Sequence, residues 1–217
     1  MRILLALWAI LLLSGCQSDP LSGKNDPKLR WWSLDFFGPV FMEGLAEDSY
    51  VEDINGKLIR FGSEGRFGKS QAGDSHEYAR GWQSSGGGSM RGVVGADLPK
   101  RIYVRWQSIV EQKTYRGWVE IPEEGRQIMR TSTERRCAQT PASPANGLAI
   151  LSIGLAPGGV MQVSVRDSCL KAIKVARGQA EIEPLGPHLG KSGGKYYPQS
   201  EESKRYIEQY GIPYGSW

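Results

Sequence analysis

The chain has 217 residues, of which 40% are hydrophobic and 23% charged, with a formal net charge of +4. That length suits one domain or at most two small ones, with enough apolar side chains for a real core. The charges are interspersed, and no basic block of the kind that tracks phosphates occurs, which argues against a nucleic-acid partner.

The first residues read as an export signal. Met1-Arg2 gives a short positive region, and Ile3 to Leu13 is an unbroken apolar run. A helix that crosses a bilayer core needs roughly 20 residues, whereas a signal-peptide core needs about 7–15. Leu13-Ser14-Gly15-Cys16 follows in register and is similar to a lipobox, with small residues at the scissile bond and a thiol to accept diacylglycerol. The expectation is a signal peptide over 1–15, lipidation at Cys16 and an envelope protein that faces the periplasm. Gln17 after the cysteine suggests the outer membrane by enterobacterial sorting rules. Residues 16–29, rich in Pro, Gly, Ser and Asn, read as a flexible tether, and 30–217 as a single β-rich periplasmic domain.

Within that domain the periodicity is mostly that of strands. Asn55-Gly56 lies between Tyr50-Val51 and Leu58-Ile59, a hairpin signal because Asn and Gly tolerate positive φ. Gly62 to Gly92 is Gly- and Ser-rich and is expected to be a mobile surface loop. Arg101 to Trp106 alternates, with Ile102, Val104 and Trp106 on one face and Arg101, Tyr103 and Arg105 on the other. Thr114 to Ile121 alternates as well, with Trp118 opposite Tyr115, Val119 and Ile121, and the two segments suit a hairpin through 110–113. Pro122 to Met129 predicts one or two helical turns.

Leu148 to Leu155 suits a central strand, and Ala156-Pro157-Gly158-Gly159 suits a type II turn. Val160 to Asp167 resumes alternation with Met161, Val163 and Val165 inward, and a further strand is expected around 172–176. Pro184 to Pro198 reads as irregular. Ser200 caps a predicted helix to Tyr210, which Gly211 and Pro213 stop. The fold class is therefore mainly β: an antiparallel β-sandwich or twisted sheet with one or two short helices.

Beyond Cys16 the cysteines are Cys137 and Cys169. In an oxidising compartment the pair is expected to form a disulfide, the alternative being two buried, reduced thiols. Chemistry is otherwise sparse. His76 and His188 each lack a second His or Cys at metal-ligand spacing, Asp74-Ser75-His76 reads as a solvated loop, and no G-x-S-x-G elbow occurs. Neither a catalytic site nor a cofactor is expected. Binding is better supplied: seven tryptophans, with Tyr and Arg beside several of them, are the residue types that dominate interfaces. Trp82, Trp106, Tyr115 and Trp118 are the candidate partner-binding residues, with core filling as the alternative for each.

Leu98 to Ser108 with Glu111, Lys113 and Tyr115, then Leu155-Ala156-Pro157-Gly158-Gly159-Val160 and the closing Gly211-Ile212-Pro213-Tyr214-Gly215-Ser216-Trp217, resemble a family of proteobacterial lipoproteins classed as a domain of unknown function. Its members often lie beside phospholipase effectors of the type VI secretion system. The resemblance implies an immunity role: a lipid-anchored periplasmic protein that binds a secreted phospholipase and blocks it. It carries over no catalytic residue. The alternative is a structural or assembly lipoprotein of the cell envelope without enzymatic activity.

Overall fold

The computed structural model describes residues 19–28, 31–63, 65–69, 73, 80–82, 90–146, 149–167, 169 and 171–217. The signal segment, Cys16, Ser75, His76 and the Gly/Ser run at 84–89 lie outside the described residues. Among the described residues eleven strands form two open sheets. One has five strands in the order β10-β9-β8-β1-β5. These are β1 (Trp32–Phe37), β5 (Arg91–Val93), β8 (Ile150–Ala156), β9 (Val160–Arg166) and β10 (Ala172–Gln179). The other follows the order β11-β7-β6-β2-β3, built from β2 (Gly44–Asp53), β3 (Leu58–Arg60), β6 (Pro99–Ser108), β7 (Lys113–Glu120) and β11 (Glu181–Ile182). β4 (Gly65–Phe67) also pairs with β2, so β3 and β4 cover the two halves of one long strand edge.

The sheets share one core. Leu34, Phe36, Leu151, Ile153, Leu155, Met161, Val163 and Val165 enter from the first sheet; Val51, Ile102, Val104, Trp106 and Val119 enter from the second. Each set follows the two-residue period of its strand, which sends alternate side chains to one side. β8 is buried on both faces, as a central strand with a continuous apolar run should be. All strand pairs are antiparallel except β1–β8, which is parallel. Between β1 and β8 the chain adds β5 to the same sheet and builds β2, β3, β4, β6, β7 and the helix after them, a crossover long enough to bring two strands side by side in one direction.

The turns follow local chemistry. Gly56 takes φ 81° in the hairpin between β2 and β3, and Gly158 takes φ 80° and ψ 5° after Pro157, the third-position geometry of a type II turn. Helix α1 (Glu123–Thr131) starts after Pro122 and carries Glu123 and Glu124 in its first turn. Helix α2 (Glu201–Tyr210) is capped by Ser200, whose Oγ accepts the Ser203 N–H, and ends at Gly211 with φ 73°. Its buried Tyr206 stacks on Phe41 with centroids 4.5 Å apart.

Two expectations change. Residues 19–28, assigned to the tether, are held against the domain: Ser22 bridges Arg135, and the buried Asp26 carboxylate accepts from Arg136 Nε at 2.8 Å and from the Ala145 N–H at 2.6 Å. A short carboxylate that reaches both a guanidinium and an N–H holds polar sequence in place with no apolar pattern to announce it. Gly62 to Gly92, expected to be a loop throughout, contributes β4 and β5 at its ends. Cys137 and Cys169 are bonded, with Cα atoms 5.2 Å apart, and tie the segment after α1 to the β9–β10 turn.

Candidate functional site

The outer face of the six-stranded sheet concentrates the exposed chemistry of the described residues. Register places Tyr50, Tyr103 and Trp118 side by side across β2, β6 and β7. Their rings form a ladder, with Tyr50 and Tyr103 centroids 5.6 Å apart and Tyr103 and Trp118 centroids 5.4 Å apart. Edge-to-face and tilted pairs of this spacing are favoured by the ring quadrupoles. Arginines finish both ends: Arg60 lies 5.6 Å from the Tyr50 centroid and Arg101 lies 4.4 Å from the Trp118 centroid.

The flanking rows are ionic. Glu52, Arg101 and Glu120 are opposite one another on one side of the ladder; Asp48, Arg105, Arg116 and Glu181 form the row on the other. Arg60 grips Asp48 with two bonds of 3.0 and 2.9 Å, and Tyr50 Oη donates to the same carboxylate at 3.3 Å. Arg101 and Lys100 donate to Glu52 at 2.7 and 3.1 Å, which lowers the pKa of that carboxyl. Arg116 reaches Glu181 at 2.9 Å and the buried Glu183 at 3.1 Å; the hydrogen bond to Glu181 does most to raise its pKa. Burial raises the pKa of the Tyr103 hydroxyl. Each of these arginines is thus engaged by a carboxylate of the same face.

A bulge after Ala46 puts Glu47 and Asp48 together opposite Arg105. A bulge sets two residues against one, and here the extra residue is a carboxylate with no side-chain exposure. Glu47 accepts from Arg105 Nε at 2.9 Å, from Gln107 Nε2 at 2.7 Å and from the His188 N–H at 2.8 Å. His188 and Leu189 sit at φ 52° and 54°, a left-handed conformation that costs roughly 1–2 kcal/mol per residue. The bond to Glu47 helps hold that strained strap across the end of the face.

Of the four candidate anchors, only Trp118 belongs to the open face, at 38% exposure. Trp106 and Tyr115 are corrections: they are 1% and 4% exposed and fill the core. The alternation that sends Trp118 outward sends Tyr115 inward, and Trp106 is opposite Tyr115 on the same inner side. The Tyr115 hydroxyl donates to Glu111 at 3.0 Å; burial first, and that carboxylate next, raise its pKa. Trp82 is half-buried on the other sheet, edge-on to Phe37 at 5.4 Å and over Gly154, where a Cβ would strike its ring. Arg105 and Arg116 are reached by sequence reasoning as neighbours of Trp106 and Trp118; Glu47, Asp48, Tyr50, Arg60, Tyr103 and His188 are not assigned to a binding face by it. The outward phase of Arg101, Tyr103 and Arg105 is the trace that the face leaves in the sequence.

A shallow cleft of about 400 Å³ between Tyr103, Arg116, Trp118, Gln179 and Glu181 opens onto this face. No group of three or more metal-ligating side chains occurs among the described residues, and no helix among them is long and apolar enough to cross a membrane.

A family model described as "Protein of unknown function (DUF2931)" matches residues 23–215. No curated protein and no solved structure matches the chain.

Proposed function

We propose that this chain, which belongs to the DUF2931 family, is a lipid-anchored periplasmic immunity protein. It binds a type VI secretion phospholipase effector through the outer face of its six-stranded sheet and performs no catalysis itself. The observation that carries the binding part is the Tyr50–Tyr103–Trp118 ladder, bracketed by arginines that carboxylates already hold in place. Interfaces draw most of their energy from Trp, Tyr and Arg, and side chains fixed beforehand lose less entropy on binding. Lipidation at Cys16 is supported by the pattern of residues 1–16, and the phospholipase by the sequence resemblance. An anchored inhibitor is concentrated where a lipase must act.

The test is a pull-down with the tagged domain, residues 18–217, from an extract of its own organism, read by mass spectrometry. The expected result is a stoichiometric phospholipase whose activity falls on addition of the domain. Recovery of only envelope or peptidoglycan-associated proteins would instead support a structural or assembly lipoprotein. A deletion strain separates the two readings independently. An immunity mutant is killed by siblings carrying an active effector, whereas an assembly mutant has envelope defects when grown alone.

A further inference from the structure

We infer that the anchored protein does not swing on a long tether but stands on the bilayer by one pole, with the binding face rising from it. The inference rests on lipidation at Cys16 and deepens the proposed function by fixing where the face meets its partner.

Among the described residues the hold begins at Asp19. It pairs with Arg135 at 3.1 Å, and its backbone and side chain accept from Ser22 and Leu21. From there the segment is clamped continuously. Gly23 N–H donates to Glu134 at 2.8 Å, Asp26 takes Arg136, and Lys28 Nζ donates to the carbonyls of Gly23 and Thr133. Only residues 17 and 18 separate Cys16 from Asp19, and three peptide steps span at most about 11 Å. A free tether of the length expected from composition would have let the domain take any orientation.

The clamp lies at one end of the sandwich. Lys28 and Thr133 share a crevice with Trp32, Leu98 and Ala149, the residues at or just before the starts of β1, β6 and β8. At the opposite end are the turn at 109–112, the turn at 157–159 and Trp217, whose indole N–H donates to Pro157 at 3.1 Å. Strands therefore run away from the anchored pole. With a rise of about 3.3 Å per residue, the Arg101 row is nearest the lipid, the Tyr103 ladder follows about 7 Å further on, and the strap at His188 closes the far end. A partner on this face is held beside the bilayer, where a lipid-cleaving enzyme must put its own active site.

The experiment uses the full acylated chain in vesicles of phosphatidylethanolamine and phosphatidylglycerol that carry an energy acceptor on the headgroup. A donor dye is placed, through an introduced azide-bearing residue, at exposed Ser143 beside the clamp or at exposed Lys195 near the strap. A separation of about 30 Å along the strands predicts transfer at least about threefold more efficient from 143. Inserting ten Gly/Ser residues between 18 and 19 leaves the clamp and the fold untouched and is expected to remove most of that difference. Equal transfer from both positions in the uninserted protein overturns the inference while leaving the lipid anchor standing. Failure of the chain to float with vesicles, against a Cys16→Ser control, overturns the anchor reading and this inference with it.

Discussion

Trp118→Ala and Trp106→Ala make a paired test, because the two tryptophans differ so sharply in burial. Trp118 is 38% exposed and touches Arg101 and Tyr103. Its removal from the free protein loses a cation–π contact of about 0.5–1 kcal/mol and an aromatic pair of about 0.5–1.5 kcal/mol. At about 2–4 °C per kcal/mol for a domain of this size, melting falls by roughly 2–10 °C. Trp106 is 1% exposed, and truncating a core tryptophan costs about 3–5 kcal/mol, or roughly 6–20 °C. Affinity reverses the order. As an anchor of the proposed binding face, Trp118 is expected to contribute at least about 2 kcal/mol, so its loss is expected to weaken binding by about 30-fold. Trp106→Ala, assayed well below its melting temperature, is expected to bind within about threefold of the parent, since the ring never reaches the surface. Isothermal titration against the captured phospholipase and differential scanning calorimetry read both quantities. A Trp118→Ala protein that binds like the parent would falsify the assignment of this face.

Glu47→Ala strips three donors of their shared acceptor and leaves Arg105, 12% exposed at its side chain, without its nearest carboxylate. Breaking one side of a buried pair costs about 3–5 kcal/mol; thermal melting and faster amide exchange across 184–198 are the readouts, and an unchanged melt refutes the role given to the bulge. The Cys137–Cys169 bond closes a sequence separation of 32 residues, for which loop entropy gives roughly 3–4 kcal/mol. Reductant should lower the melting temperature by roughly 6–16 °C, and mass spectrometry of periplasmic material should find neither thiol free to alkylation. Asp26 is lowered from 3.8 to about 2, chiefly by its hydrogen bond from Arg136. A depressed carboxyl stabilises above its unfolded pKa and loses that stabilisation as pH falls through the folded one. Protease protection of residues 19–28 is therefore expected to hold down to about pH 4 and to fail towards pH 2; loss of protection near neutrality would contradict the clamp.

The two-sheet architecture was legible wherever burial imposes a period. Ile102, Val104 and Trp106 alternate because one side of β6 faces the core, and Met161, Val163 and Val165 alternate for the same reason on β9. β8 was legible through the opposite signal, a continuous apolar run covered on both faces. The short strands β4 and β5 were not, because three residues of Gly-Arg-Phe or Arg-Gly-Val are too few to show a period and their pairing with β2 and β1 is a long-range event. The parallel β1–β8 contact was invisible for the same reason: direction of pairing depends on the path of the intervening chain.

The outer face of the six-stranded sheet was harder to read than the core because its logic is transverse to the sequence. Tyr50, Tyr103 and Trp118 are far apart in the chain and become one ladder only through the registers of β2 with β6 and β6 with β7. Composition nominates aromatic residues without choosing among them, so it puts Trp106 and Tyr115 level with Trp118, although alternation places those two on the inner side. Glu47 was hidden differently. In an unbroken alternation it would share the inward phase of Ser49 and Val51, and only the bulge after Ala46 turns it out beside Asp48. One extra residue in β2 thus changes a core position into the acceptor that fixes Arg105 and the His188 strap. Without Glu47, Ala46 and Asp48 are consecutive opposite Trp106 and Arg105, so the bulge closes, Leu45 stays opposite Gln107 on the outer side and both halves of β2 keep their facing. Deleting Glu47 altogether is therefore expected to cost about as much as truncating it, read by thermal melting, because both changes remove the same carboxylate and neither disturbs the pairing on either side.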